Sequence, residues 1–165
     1  MTLTAHAIVG AAVASVMPMH PVLGICAAFG SHFLVDAIPH WDYPMRSPFV
    51  NPQFGAPMKL DRALLLDVIS IGSDGLLGMI LAIALFATPA TWWLIAAAAA
   101  AGILPDPLQF VYAHFKHEPL ISLQRFHLWI HTTNHLHGRV AFGVTSQIGF
   151  LALCVFVFGL LPHLP

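Results

Sequence analysis

Long apolar segments separated by short turns and two polar stretches form the pattern of this 165-residue chain. The apolar segments cover about 3–17, 22–38, 60–86, 91–115 and 140–161. The polar stretches cover 40–59, which is rich in proline, and 116–139, which is rich in histidine. A helix needs about 20 apolar residues to cross a bilayer, and the first segment is short for that. The pattern predicts an all-α integral membrane bundle of about five transmembrane helices, forming one domain over 1–165.

The second polar stretch contains a short amphipathic segment. Its apolar residues are Leu123, Phe126, Leu128, Trp129 and Ile130, with polar residues between them. A helix with one apolar and one polar face is typical of a segment that lies in the membrane interface. We therefore expect an interfacial amphipathic helix in addition to the spans.

Composition supports a membrane protein and adds one anomaly. Hydrophobic residues make up 58% of the chain and charged residues only 8%, whereas a soluble domain carries about 25% charged residues. The 11 histidines outnumber both the 6 basic and the 7 acidic residues. Histidine is the commonest metal ligand and also exchanges protons near neutral pH. The histidines are therefore the first candidates for chemistry.

The positive charges predict an orientation. All six lie in or beside the two polar stretches: Arg46, Lys59, Arg62, Lys116, Arg125 and Arg139. With five spans, both stretches fall on the same side as the N-terminus, and the positive-inside rule makes that side cytoplasmic. We expect a multi-pass protein of a bacterial-type inner (cell) membrane, with the N-terminus and the site inside and the C-terminus outside.

Four ionisable residues end the second apolar segment, where residues 31–42 read S-H-F-L-V-D-A-I-P-H-W-D. His32 and Asp36 are four residues apart, so on a helix they share a face and lie about 6 Å apart along its axis. His40 and Asp42 follow just after Pro39. An imidazole nitrogen and a carboxylate oxygen that converge in this way suit a metal ion. The alternative is a His–Asp hydrogen bond that stabilises helix packing.

Other segments bring candidates to the same predicted face. His6 lies one turn before Gly10, and Asp106 lies in a Pro-Asp-Pro sequence that interrupts the fourth segment and makes Asp106 a plausible N-cap. His127 and His131 share a helical stripe with His135. The predicted metal ligands are His6, His32, Asp36, His40, Asp106 and His127. Packing, capping or a solvated polar face are the alternatives for these residues.

Two further residues are predicted to take part in catalysis. Asp67 lies near the expected depth of the site, and it or His131 could serve as a general base or orient another group. Asp74 shares a helix face with Asp67 but lies deeper. It is either a hydrogen-bond partner of another helix or a stepping stone in an ion path.

Several of these motifs resemble known families. The sequence G-S-H-F-L-V-D-A-I-P-H at 30–40 resembles the H-x-x-x-D…P-x-H element of zinc-dependent phospholipase C and S1/P1-type nucleases. Over more of the chain, the motif order is similar to that of membrane-bound metal-dependent hydrolases of the LexA-regulated YdjM type. The matching positions are His6–Gly10, Gly102–Asp106 and the pair His127 and His131. The resemblance implies a metal hydrolase in which His32 and Asp36 bind zinc, and it implies no particular substrate.

The expected function is metal-dependent hydrolysis of an ester or phosphoester, with membrane lipids and a small-molecule or lipid substrate as partners. Zinc suits mixed histidine and carboxylate ligands best, and manganese or iron are alternatives because carboxylates suit harder ions. No phosphate-binding glycine loop, nucleophile elbow or basic patch for nucleic acid is apparent, so no nucleic-acid partner is expected. The rival hypotheses are a proton or metal-ion conduit and a structural or assembly protein.

Overall fold

Helices account for all the regular structure in the computed structural model, which describes residues 1–47, 61–133, 136 and 138–160. Within them the chain forms α1 Leu3–Ser15, α2 Pro21–Asp36, α3 Arg62–Phe86, α4 Trp92–Ile103, α5 Pro105–His114, α6 Leu120–Ile130 and α7 Val140–Leu160. The all-α prediction is therefore confirmed for this part of the chain. Each predicted apolar segment coincides with a helix or a helix pair, and α6 coincides with the predicted amphipathic helix.

The fourth apolar segment is broken where the sequence predicts an interruption. The axes of α4 and α5 differ by 47° at the break. Pro105 lacks a backbone N–H, and its ring excludes the carbonyl of the preceding turn, so a straight helix cannot continue through it. The N-cap prediction for Asp106 is wrong, because α5 begins at Pro105 and Leu104 is its N-cap. Asp106 lies instead in the first turn of α5, where a carboxylate favours the helix dipole.

Fewer helices are long enough to span a bilayer than the five predicted. Among the described residues, α3 and α7 have the length and apolar composition of a span, and the bent pair α4–α5 makes a third if it counts as one. The helices α1 and α2 are apolar but contain only 13 and 16 residues. At 1.5 Å per residue, 13 residues cover roughly 20 Å of an approximately 30 Å hydrocarbon core.

Apolar side chains cover the outside of these long helices. Leu76 on α3 and Phe156 on α7 are each more than 60% exposed. A large apolar surface of this kind is rare on soluble monomers and is typical of surfaces that face lipid or a partner. This surface is compatible with a location in a membrane.

The short helix α1 lies at the centre of the bundle and packs against α2, α3, α4 and α7. Its alanines are almost completely buried, and small side chains allow neighbouring helices to approach closely. The closest approach is to α4, where a Cβ atom added to Gly102 would lie 2.5 Å from the carbonyl oxygen of His6. The glycines therefore set the distance between α1 and α4.

Asp74 holds the start of α1 against α3. Its Oδ2 accepts a hydrogen bond of 2.9 Å from the backbone N–H of Thr4, and its Oδ1 accepts one of 2.7 Å from the Thr4 hydroxyl. The first N–H groups of a helix have no partner within the helix, so a carboxylate from α3 satisfies one of them. Of the two alternatives for Asp74, the contacts match the hydrogen bond to another helix.

The polar residues gather at one end of the bundle. The start of α1, the end of α2, the junction of α4 and α5 and the end of α6 meet there. The segments that follow α2 and α6 close this end. Backbone hydrogen bonds join the segment after α6 to the end of α2 and the segment that follows it, from Thr132 N–H to the Asp36 carbonyl at 2.9 Å and from Leu136 N–H to the His40 carbonyl at 3.0 Å. The candidate site lies under these segments.

Candidate metal centre

One buried carboxylate, that of Asp36, is surrounded by histidines. The Nε2 atoms lie 3.0 Å from an Asp36 oxygen for His127, 3.1 Å for His6 and His32, 3.7 Å for His131 and 3.8 Å for His40. Asp36, His32 and His40 have no exposed surface, and His6 and His127 have almost none. A buried carboxylate is stable only when neighbouring charges or hydrogen bonds compensate for its lost hydration.

The histidines come from four parts of the chain that are distant in sequence. His6 lies near the start of α1, His32 near the end of α2, His40 in the loop 37–47, His127 in the last turn of α6 and His131 at its C-cap. Because α1 packs against α2, and α6 packs against the end of α2, these side chains converge on Asp36. Each of these three helices contributes its histidine from a position near one of its ends.

Backbone carbonyls determine how three of these imidazoles are oriented. Nδ1 of His32 donates to the Gly102 carbonyl at 2.8 Å, Nδ1 of His40 to the Ile38 carbonyl at 2.6 Å and Nδ1 of His131 to the Thr132 carbonyl at 3.1 Å. A carbonyl oxygen can only accept, so the proton of each neutral ring is on Nδ1 and the Nε2 lone pair faces Asp36. Metal-binding histidines are held in the same way.

An Nε2 lone pair that faces a carboxylate is repelled by it unless a proton or another cation lies between the two atoms. Asp36, Asp42 and Asp106 supply three negative charges, and the N-terminal ammonium of Met1 supplies one positive charge. Two negative charges remain, which two protonated imidazoles or one divalent cation would balance. Nε2 of His32 and Nε2 of His127 are only 3.4 Å apart, so protonating both of these rings would place like charges in contact. A cation shared by these two rings would avoid this repulsion.

The donor atoms fall into two ligand groups that share Asp36. The first group is His32, Asp36, Asp106 and His127, and the second is Asp36, His40 and His131; within each, one ligand atom per residue lies within 4.8 Å of the others. The first offers two nitrogens and two oxygens, a set that suits zinc. Each of these buried His/Asp groups could hold a metal ion.

His6 is a buried imidazole whose hydrogen-bonding capacity the surrounding residues do not satisfy. Its side chain is completely buried, yet neither ring nitrogen forms a hydrogen bond with a described residue. Its Nε2 is 3.1 Å from Asp36, but the two atoms are not aligned for a hydrogen bond, and the ring stacks on His32 with centroids 3.9 Å apart. Buried polar groups without partners are rare, so each calls for an explanation such as an ion. His6 lies beside the first ligand group.

A cation already contacts the second ligand group. The Met1 ammonium lies 2.8 Å from Asp36 Oδ1, 2.9 Å from Asp42 Oδ1 and 2.9 Å from His40 Nε2. Burial alone would raise the pKa of Asp42, but its close contacts with the His40 imidazole and the nearby ammonium hold this pKa well below its usual range. Asp42 therefore stays ionised, and an ion in this group must compete with the ammonium.

One edge of the centre reaches the surface. Asp106, His131 and Asp42 are each about a quarter exposed, at 27%, 24% and 23% of the side chain, whereas Asp36 and the other four imidazoles around it are buried. Burial lowers the pKa of His131, which keeps its ring neutral. A substrate would approach the centre at this edge.

Most of the predicted site residues meet here, with two differences. All six predicted metal ligands belong to this centre, and His131 joins them, but His131 follows the end of α6 and has extended backbone. The helical stripe predicted for His127, His131 and His135 is therefore wrong at His131, and His135 lies outside the described residues. Asp67 belongs to neither ligand group and is hydrogen-bonded to the loop 37–47 instead.

A pair of glutamines supports the centre and was not predicted. Gln124 of α6 donates to Gln109 of α5 at 3.2 Å, and Gln109 donates to Asp106 Oδ1 at 3.1 Å. This chain of hydrogen bonds orients Asp106 and connects α5 to α6. Glutamines are common in helices, so only their burial, which the sequence does not reveal, could have identified them.

Comparison with other proteins identifies no relative of this chain. No protein-family model, no curated protein and no solved structure matches the chain. The resemblance to metal-dependent hydrolases therefore stays a prediction based on the motifs, and the buried His/Asp centre stands on its own geometry.

Proposed function

We propose that this chain is a membrane-embedded, metal-dependent hydrolase that acts on an ester or phosphoester. The observation that carries the proposal is the convergence of five imidazole Nε2 atoms within 3.8 Å of the single buried carboxylate of Asp36. A packing role would require far fewer histidines, each with a hydrogen-bond partner, and would not leave His6 without one. Zinc fits the two nitrogens and two oxygens of the first ligand group best.

Each residue of the centre has a distinct part in this proposal. A bound divalent ion would supply a water molecule with a pKa near 7 and would polarise the bond to be cleaved. His32, His127, Asp36 and Asp106 would hold the ion, and the buried histidines would exclude bulk water from its inner side. His131, at the exposed edge, would exchange a proton with the attacking water or the leaving group.

Lipids are the proposed source of the ester or phosphoester. On α6, His127 faces the centre, while the neighbouring Trp129 is 78% exposed and Leu128 is 51% exposed. Tryptophan is enriched at the boundary between hydrocarbon and water, where lipid headgroups lie. A helix with one face in the centre and the other in the interface would bring headgroups close to His131.

The proposal predicts that chelation abolishes hydrolysis. We expect purified protein to contain about one or two divalent ions per chain, to lose lipid or model-ester hydrolysis with EDTA and to regain it with Zn²⁺.

His131→Ala should lower kcat by about 10²–10⁴-fold, the usual contribution of a general acid or base. The measurements are metal content by mass spectrometry and release of the hydrolysed headgroup or of a chromogenic phosphodiester.

The matched control is Asp74→Asn, because Asp74 is bonded to Thr4 and lies in neither ligand group. This variant should hydrolyse at the wild-type rate. Ion flux into liposomes that requires Asp74, without hydrolysis, would contradict the enzyme proposal and favour a conduit. Protein that purifies without metal and binds none would favour a structural role.

We also propose that the centre faces the cytoplasm and that an odd number of spans separates the N-terminus from the C-terminus. All six Lys and Arg lie in or beside the two polar stretches on the side of the centre. A phosphatase reporter fused after residue 165 should be active outside the cell, and a fluorescent or β-galactosidase fusion there should not. Cytoplasmic activity of the reporter would require an even number of spans.

A further inference from the structure

Asp67 is a buried carboxylate that the proposed chemistry does not use. Its exposed fraction is 2%, and it lies in the second turn of α3, which contributes no ligand to the centre. Its Oδ2 accepts hydrogen bonds from the backbone N–H groups of Arg46 at 3.0 Å and Ser47 at 2.7 Å. Its Oδ1 accepts a bond of 3.2 Å from the Arg46 guanidinium. Asp67 thus binds the loop segment 37–47 at Arg46 and Ser47.

The same loop carries His40 of the second ligand group and its neighbour Asp42. His40 and Asp42 lie between the end of α2 and the Asp67 contact, and the Trp41 carbonyl accepts a bond of 2.8 Å from Gln147 of α7. The His40 carbonyl accepts the bond from Leu136 described above. A carboxylate that accepts two N–H groups and a guanidinium is a strong anchor, because bonds to charged groups are about twice as strong as neutral ones.

We propose that Asp67 is a positioning residue that holds the loop 37–47 in place, so that the imidazole of His40 stays directed at Asp36. This inference rests on the proposed function, since it concerns ion binding in the second ligand group. Asp67 acts through the loop and belongs to neither ligand group. Without it, His40 would lose its fixed position and the ion would lose a preorganised ligand.

Losing the anchor should weaken ion binding by about 10–100-fold, the usual effect of removing a residue that orients a metal ligand. The variant Asp67→Ala removes all three bonds, whereas Asp67→Asn keeps an oxygen that can accept from the backbone N–H groups. Arg46→Ala removes only the guanidinium contact. The Arg46 side chain is 53% exposed, so solvent screens this contact and its loss should have the smallest effect on ion binding. We expect the loss of affinity to be largest for Asp67→Ala, intermediate for Asp67→Asn and smallest for Arg46→Ala.

The decisive experiment is a double-mutant cycle between Asp67→Ala and His40→Ala. Zn²⁺ affinity is measured by calorimetric titration of metal-free, full-length protein in detergent for the wild type, both single variants and the double variant. If Asp67 acts through His40, Asp67→Ala should change the affinity by less than about twofold once His40 is absent. In an Asp61→Asn control, Zn²⁺ affinity should equal that of the wild type, because Asp61 is the exposed N-cap of α3, lies in neither ligand group, and asparagine caps a helix as well as aspartate does.

Cobalt gives a second readout that a general loss of stability would not change. Co²⁺ in place of Zn²⁺ has visible absorption bands that depend on its ligands, and Asp67→Ala should shift these bands in the direction that His40→Ala does. An equal loss of Zn²⁺ affinity in the presence and absence of His40 would overturn the proposal. So would unchanged affinity and an unchanged spectrum in Asp67→Ala. Wild-type protein that binds no ion would instead refute the proposed function, so the two failures are distinguishable.

Discussion

Asp36→Asn should remove nearly all the bound metal, leaving less than about a tenth of the wild-type content after purification. Asp36 is the only residue shared by both ligand groups, and it contacts five imidazoles. Asparagine has nearly the same shape but no charge, and its amide nitrogen cannot bind a cation. The loss of bound metal should therefore reflect the missing negative charge at position 36 more than a change in packing.

Metal content by mass spectrometry and secondary structure by circular dichroism together test this prediction. Asp61→Asn makes the same chemical change at the exposed N-cap of α3, where asparagine caps as well as aspartate, and should keep its metal. If Asp36→Asn fails to fold, His127→Ala removes a first-group ligand from the end of α6 and should also lower the metal content. Full metal content in a folded Asp36→Asn variant would exclude the centre as a metal site.

Gly102→Ala should destabilise the protein by about 1–3 kcal/mol, the usual effect of forcing extra atoms into a packed core. The added Cβ would lie 2.5 Å from the His6 carbonyl oxygen, an atom of the α1 backbone that cannot rotate away. The two helices must separate, which moves both His6 and the Gly102 carbonyl that orients His32. We therefore expect weaker metal binding as well as lower stability.

Reversible unfolding of the purified protein in mixed detergent measures this loss of stability. The control is Gly72→Ala on α3, where an added Cβ would meet no atom within 4 Å. Because alanine is favoured over glycine inside a helix by about 0.5–1 kcal/mol, this variant should be neutral or slightly more stable. Equal stability of Gly102→Ala and the wild type would show that α1 and α4 are not held at the distance described.

Local patterns revealed the residues of the centre because the patterns reflect local geometry. His32 and Asp36 meet because four residues make about one helical turn, and the bend at Pro105 follows from its missing N–H. Contacts between residues far apart in the chain could not be predicted from spacing. Asp67 was predicted to serve as a general base or to orient another group, and its contacts with the backbone of the loop residues Arg46 and Ser47 come from the tertiary structure alone.

The sequence by itself determined the helical class and the apolar segments, and it singled out the six residues that gather around Asp36 or next to it, because each depends on composition or on spacing within one helix. Only the tertiary structure decided that α1 is the central helix, that the ligands form two groups sharing Asp36 and that His6 is left without a hydrogen bond. These features depend on contacts between residues far apart in the chain, such as His127 and Asp36. Helical periodicity carries no information about which helix ends meet, since many packings bury the same apolar faces. Close contacts at Gly10 and Gly102 select the packing that brings His6 and His32 to Asp36.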